Sequence, residues 1–277
     1  MCAICGCGSS SPDGPLHPHA AAQPGSHHDD HAPGSEHEHV LSDGTVLRHS
    51  HPPSQPHRPS RVLEVERALL ADNDAQAARN RQRLSSSHTL VLNLMSSPGA
   101  GKTTLIEATL RRLHGHSAVT VIEGDQQTSL DAERVRRAGA QAVQINTGKA
   151  CHLDAHMIDR ALDELTLPSD GLLLIENVGN LVCPASFDLG EHKRVVIASV
   201  TEGEDKPLKY PDMFARADLI VVSKTDLLPH LDFDCQRFAE HARRIQPRVE
   251  LLFVSARSGD HLDDWLKWLT TQRRSLD

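Results

Sequence analysis

The sequence predicts an α/β domain, a mostly parallel sheet with helices on both faces, preceded by a disordered His-rich N-terminal arm. Three features point to it. From Leu90 onward short aliphatic runs alternate with stretches of helical period. Aromatic residues make up only 3% of the chain against 38% hydrophobic residues, so the core is aliphatic. The first aliphatic run also leads into the Gly-rich stretch Ser96–Thr104 and then into a helix pattern, the strand–loop–helix context of a phosphate cradle.

The arm, residues 1–60, comes first. Cys2, Cys5 and Cys7 lie in Met-Cys-Ala-Ile-Cys-Gly-Cys-Gly, where Gly6 and Gly8 give the backbone freedom to wrap one soft or borderline ion. The terminal amine is available as a fourth ligand, which suits a square-planar Ni²⁺ centre. Residues 9–60 are rich in Ser, Pro, Gly, Asp, Glu and His, and ten of the 19 histidines precede residue 60. Such a stretch buries too little apolar surface to offset its ordering entropy and reads as disordered. Its scattered imidazoles suit a multi-ion reservoir for nickel-like cations.

Residues 61–277 read as one domain. Arg61 to about Leu84 is a helix with Val62, Leu63, Val65, Leu69 and Leu70 on one stripe. Strands are expected at Leu90–Met95, Ala118–Ile122, Ala142–Ile145, Leu172–Ile175, Val195–Val200, Leu219–Val222 and Leu251–Val254. Helices are expected at about 103–114, 129–138, 153–165, 234–246 and 261–270. Ligands in such a sheet bind at the carboxyl ends of the strands.

The formal net charge of −8 argues against a nucleic-acid partner, whose phosphates need a basic surface. No apolar run is long enough to cross a bilayer, and the N-terminus lacks the basic and apolar regions of a secretory signal. Six cysteines without export read as thiols or metal ligands. A cytoplasmic protein without membrane insertion is expected.

In Ser96-Ser97-Pro98-Gly99-Ala100-Gly101-Lys102-Thr103-Thr104, small residues let backbone N–H groups curl around phosphate oxygens at a helix N-terminus. Lys102 then reaches the outer phosphates and Thr103 is placed to ligate Mg²⁺. Ser96 stands where the usual pattern has Gly. Lys224 and Asp226, in Val-Val-Ser-Lys-Thr-Asp, follow a strand and match the guanine-reading pattern Asn-Lys-x-Asp except at Ser223. Asp226 can accept from both the ring N–H and the exocyclic amine of guanine. Ser255-Ala256-Arg257 resembles the second base-contact loop. Together these favour GTP over ATP.

The loop Glu123-Gly124-Asp125 places Asp125 toward Mg²⁺ or the attacking water, and Glu176, at a strand end, belongs to the Mg²⁺ shell with Gly179 sensing the γ-phosphate. Lys102, Asp125 and Glu176 are thus the expected catalytic set. Cys151-His152 and Cys183 leave strand ends on the same edge and can converge on Zn²⁺ or Ni²⁺. Cys183 follows Gly179 closely, so movement driven by the γ-phosphate would reach the metal. His156 reads as an ordinary surface histidine and Cys235 as structural.

These motifs, with Thr201-Glu202-Gly203-Glu204-Asp205-Lys206-Pro207-Leu208-Lys209-Tyr210-Pro211, closely resemble the hydrogenase nickel-incorporation GTPase family, HypB, over residues 85–272 and the N-terminal cysteines. The resemblance implies a P-loop NTPase fold of the SIMIBI class and a homodimer formed with nucleotide between subunits. It implies slow intrinsic GTP hydrolysis, a high-affinity nickel site at Cys2, Cys5 and Cys7, and a weaker Ni²⁺ or Zn²⁺ site at Cys151, His152 and Cys183. It further implies delivery to the [NiFe]-hydrogenase large subunit with a HypA-type nickel metallochaperone. A urease-type nickel GTPase and a nickel-storage protein are the competing readings; the cysteine sets favour the hydrogenase branch.

Overall fold

Leu90–Ser96 (β3) is buried at every position, and that burial explains its place in the middle of a sheet. The structure is a computed structural model that describes residues 36–40, 46–50, 61–126 and 130–276. Within it β3 is joined by Val119–Asp125 (β4), Gln141–Asn146 (β5), Leu172–Glu176 (β6), Lys193–Ser199 (β7), Leu219–Ser223 (β8) and Glu250–Val254 (β9). They form a seven-stranded sheet in the order β5-β4-β6-β3-β7-β8-β9 with every pair parallel. The seven expected strands are all present.

Parallel neighbours require crossovers, and helices supply them on both faces. Arg61–Ser85 (α1), Lys102–Leu113 (α2), Leu130–Arg137 (α3), Ala155–Asp163 (α4), Cys235–Ile245 (α7) and Leu262–Arg274 (α8) fall where helices were expected, but Leu63, Val65 and Leu69 of the α1 stripe are exposed, and α1 instead buries Asn73, Ala77, Asn80 and Leu84. Alternation along β3 divides its contacts. Leu90, Leu92 and Leu94 join Leu105, Ile106 and Trp265 on the face covered by α2 and α8. Val91 joins Leu84, Ile158 and Ile175 on the face covered by α1 and α4. Met95 packs with Phe214 and Phe238 in a third cluster. Truncating such a residue, as in Leu92→Ala, costs about 2–5 kcal/mol.

Two short helices, Lys206–Lys209 (α5) and Pro211–Ala215 (α6), were not announced by periodicity, because neither completes two turns. A second difference affects the site. Glu123-Gly124-Asp125 is not a loop but the end of β4, paired with β5 and β6. Gly124 breaks no strand; a Cβ there would lie 2.8 Å from Leu153, so glycine admits close packing.

Inside the stretch expected to be disordered, Glu36–Val40 (β1) and Val46–Ser50 (β2) pair as an antiparallel hairpin. Valines and Leu47 flank Asp43-Gly44, a turn-favouring pair in the sequence. A two-stranded hairpin alone is marginally stable. The expectations for Cys2, Cys5, Cys7 and most of the arm's histidines lie outside the described residues. Residues 67–277 form one unit, and among the described residues no helix is long and apolar enough to cross a membrane.

Candidate nucleotide and metal site

The loop between β3 and α2 needs glycine twice: Gly99 has φ +73° and Gly101 φ +100°, both left-handed. Gly101 caps α2 without a side-chain hydrogen bond, and no acidic residue occupies the first helical turn. The helix N-terminus is therefore left open to an anion. Lys102, nearly buried, donates from Nζ to Ser96 Oγ at 2.8 Å. Ser96, the residue out of pattern, thus holds the cation that an outer phosphate would take. Ser97 Oγ donates to Glu202, whose other oxygen accepts from Ser199 N at 3.0 Å. Glu202 ties the cradle to the end of β7.

Two adjoining cavities of about 220 and 490 Å³ meet at this loop and share Gly101, Thr104 and Lys224. The smaller is lined by Ser223, Lys224, Asp226, Ala256 and Arg257, which sit on the turns after β8 and β9. Ser223 Oγ donates to Ala100 O at 2.6 Å and Lys224 Nζ to Gly99 O at 2.7 Å, so the base-side turn braces the phosphate loop. Asp226 accepts from Ser255 Oγ at 2.6 Å. The larger cavity is lined by Lys102, Thr103, Glu123, Asp125, Asp131 and Glu176 among others.

Thr103 Oγ1 donates to Glu176 Oε1 at 2.8 Å, so these two expected Mg²⁺ residues meet. Asp125 lines the same cavity, its Oδ1 accepting from Gln126 N at 2.6 Å, but it stands outside the carboxylate group around Glu176. That group is Glu123, Asp131 and Glu176, with oxygens all within 4.8 Å of one another. Burial first, and then the facing Glu176, hold the Glu123 carboxyl far above the usual carboxylate range. Burial also raises Glu176, which Lys102 and the Thr103 hydroxyl partly offset. A hydroxyl plus carboxylates with unpartnered oxygens on Glu123 and Glu176 is a hard-oxygen donor set that fits Mg²⁺.

On the loops that follow β5 and β6, Cys151, His152 and Cys183 converge, their ligand atoms within 4.8 Å of one another. Cys151 Sγ lies 2.6 Å from Cys183 Sγ and 3.8 Å from His152 Nδ1. The His152 ring stacks on Phe187 at 3.8 Å between centroids, which fixes its plane. Burial lowers its pKa against the opposing charge of Asp154, favouring the neutral, ligating imidazole. Two thiols and an imidazole suit Zn²⁺ or Ni²⁺. His156 instead pairs with Asp72 at 2.8 Å.

The two sites are joined. Asn177 Oδ1 accepts from Leu153 N at 3.1 Å and Val178 N at 2.9 Å, and Asn180 Nδ2 donates to Cys151 O at 3.4 Å. The loop carrying Cys151 and His152 is thereby bonded to the segment that runs from Glu176 to Cys183. Sequence reasoning did not assign Glu123, Asp131, Asn177 or Glu202. For the first, the signal lay in strand register, where Glu123 sits opposite Glu176.

Residues 90–253 match the protein family described as "CobW/HypB/UreG, nucleotide-binding domain". The hydrogenase maturation factor HypB of Escherichia coli is 49% identical over 290 residues, covering 99% of each chain. That of Azotobacter vinelandii is 55% identical over 234 residues, 83% of this chain and 77% of its own. The crystal structure of HypB from Helicobacter pylori in complex with nickel superposes with a TM-score of 0.71 at 41% identity, covering 74% of this chain and 96% of that one.

Proposed function

The chain belongs to the CobW/HypB/UreG family of nucleotide-binding proteins, and on that premise we propose that it hydrolyses GTP to gate nickel insertion into a [NiFe]-hydrogenase large subunit. The observation that carries the reading is the hydrogen bonding of the loop 151–153, which holds Cys151 and His152, to the segment beside the phosphate loop that carries Cys183. Relatives named as hydrogenase maturation factors support the destination, and the HypB structure solved in complex with nickel supports the cargo.

GTP takes the two cavities with guanine toward Asp226 and phosphates against the backbone of 97–103. Lys102 leaves Ser96 Oγ for the outer phosphates. Mg²⁺, held by Thr103 and Glu176, supplies charge neutralisation for the phosphates. Asp125 sits at the cavity rim, where it can orient the attacking water. A γ-phosphate against Gly179 moves the 176–183 segment, and with it the sulfur of Cys183, changing how tightly the Cys/His set grips nickel. Intrinsic turnover is slow, as befits a switch.

In this reading the protein works in the cytoplasm as a nucleotide-dependent homodimer, exchanges nickel with a HypA-type metallochaperone, and uses Cys2, Cys5 and Cys7 as a tighter nickel site. The arm's histidines store further ions. Lys102→Ala and Asp125→Ala abolish GTP turnover with the fold intact; normal turnover in either sinks the assignment. Deleting residues 9–60 separates delivery from storage. Hydrogenase maturation at ample nickel survives if the arm only stores, and fails if the arm takes part in transfer.

A further inference from the structure

Asp131 and Arg134 stand one turn apart on α3, and both line the larger cavity. The Arg134 guanidinium is shared between two carboxylates. Its Nε and Nη2 donate to Oε1 and Oε2 of Glu107 at 3.1 and 2.8 Å, and its Nη1 donates to Asp131 Oδ1 at 3.0 Å. A fork of this kind fixes an angle as well as a distance, which a lysine cannot do. Glu107 lines neither cavity, but it sits on α2 one turn beyond Thr103. One guanidinium therefore ties α3 to the helix that carries Lys102 and Thr103. The tie has something to resist. Asp131 has an oxygen within 4.8 Å of one on Glu123 and one on Glu176, and carboxylates this close repel one another when ionised. Glu123 and Glu176 are held in the sheet, 2% and 3% exposed. Asp131, with 36% of its side chain exposed in the first turn of a short helix, is the member with room to turn outward.

We propose that Arg134 is a positioning residue for GTP hydrolysis, clamped on Glu107 so that it holds the Asp131 carboxylate in the larger cavity. The proposal rests on the nucleotide reading of that cavity. Arg134 acts through Asp131 and not on the phosphates, because its donors are given to the two carboxylates. Held there, Asp131 accepts from water beside Thr103 and Glu176; turned outward, it leaves that water unoriented. The loss falls on the geometry of the reaction more than on nucleotide binding.

The test uses the full chain and two readouts, each over a range of Mg²⁺ concentrations. One is single-turnover GTP hydrolysis; the other is binding of a fluorescent, non-hydrolysable GTP analogue. Arg134→Ala should slow hydrolysis about tenfold to a hundredfold. Its analogue affinity at saturating Mg²⁺ stays close to that of the unaltered chain, but more Mg²⁺ is needed to reach it. Arg134→Lys keeps the charge and loses the fork, so it is not a rescue. Glu107→Gln, outside the cavity, slows hydrolysis too, and it decides alone if Arg134→Ala does not fold. Arg112→Ala is the control: it removes an exposed bridge from α2 to Asp263, 2.7 Å long, and leaves the rate unchanged. An unaltered rate in Arg134→Ala overturns the proposal, as does full activity in Arg134→Lys. A normal rate in Glu107→Gln beside a slow Arg134→Ala overturns it as well, since Arg134 would then act without its clamp. Hydrolysis indifferent to Arg134 and Glu107 removes this inference alone, whereas no hydrolysis by the unaltered chain removes the GTPase reading with it.

Discussion

Gly179 rests against Pro98 of the phosphate loop so closely that a Cβ on it would lie 3.0 Å from Pro98 Cα and 3.1 Å from Pro98 N. These are backbone atoms and cannot swing aside as a side-chain tip does. The segment from Glu176 to Cys183 therefore touches the phosphate loop at Gly179 and meets Cys151 and His152 at Cys183.

Gly179→Ala should force this contact apart. Overpacking of this kind costs about 1–3 kcal/mol, and here the displaced atoms belong to the cradle itself. GTP affinity falls about tenfold in a fluorescent-nucleotide titration, given 1.4 kcal/mol per decade. Gly99→Ala is the contrast. Nothing lies within 4 Å of its Cβ, so only the left-handed φ of +73° is strained, at about 1–2 kcal/mol. Equal nucleotide affinity in Gly179→Ala and the unaltered chain would show the contact to be slack.

Asn177, with Asn180, bonds the two sites, and its link is the shorter of the two. It is 1% exposed, and Asn177→Ala strips the acceptor from the buried N–H groups of Leu153 and Val178. Each orphaned donor costs about 1–3 kcal/mol, visible in urea unfolding. The sharper expectation concerns coupling. A GTP analogue should change the Zn²⁺ or Ni²⁺ affinity of the Cys151/His152/Cys183 group in the unaltered chain and leave it unchanged in the variant. Competition titrations with and without the analogue measure this, and coupling that persists in Asn177→Ala must run by another route.

Base choice should rest on Asp226. Its carboxylate accepts from Ser255 Oγ at 2.6 Å, which holds it in the mouth of the smaller cavity. Asp226→Asn replaces one acceptor with a donor. Guanine, which offers two donors, then loses a charge-assisted bond worth about 1.5–3 kcal/mol, or roughly 10–100-fold in affinity. Xanthine, with a carbonyl where guanine has an amine, gains. Parallel titrations with GTP and XTP check the exchange; a variant that keeps its GTP preference places base recognition elsewhere.

The two departures from pattern seen in the sequence, Ser96 and Ser223, became intelligible only in three dimensions. Ser223 lacks the amide of Asn, yet its hydroxyl reaches Ala100 O and braces the loop in its place. Ser96 docks Lys102. The central strands β3, β6 and β8 were legible because they are buried on both faces and so read as continuous aliphatic runs. The convergence of Cys151, His152 and Cys183 was legible for a related reason: parallel strands deliver their following loops to one edge. Glu123 was not, because its meaning depends on which residue of β6 lies opposite, and no single strand encodes its partner's register.

His192 should give the fold a component of acid sensitivity. Val91 N donates to its Nδ1 at 3.0 Å, which requires that nitrogen to be unprotonated. Burial first, then Arg81 and Lys193, hold its pKa below the ordinary 6.5. The unfolded chain therefore takes up this proton more readily than the folded one. Its contribution to stability is complete above pH 6.5 and is lost as the pH falls from there toward the folded-state value, where the slope ends. His152 shifts in the same direction, so the comparison must be made within one background and with chelator present. His192→Asn offers Val91 an amide carbonyl but does not titrate. Urea unfolding at a series of pH values should show the variant's stability falling less steeply below pH 6.5, by at most one proton's worth, about 1.4 kcal/mol per pH unit. An identical slope in both chains would assign the acid sensitivity to other groups.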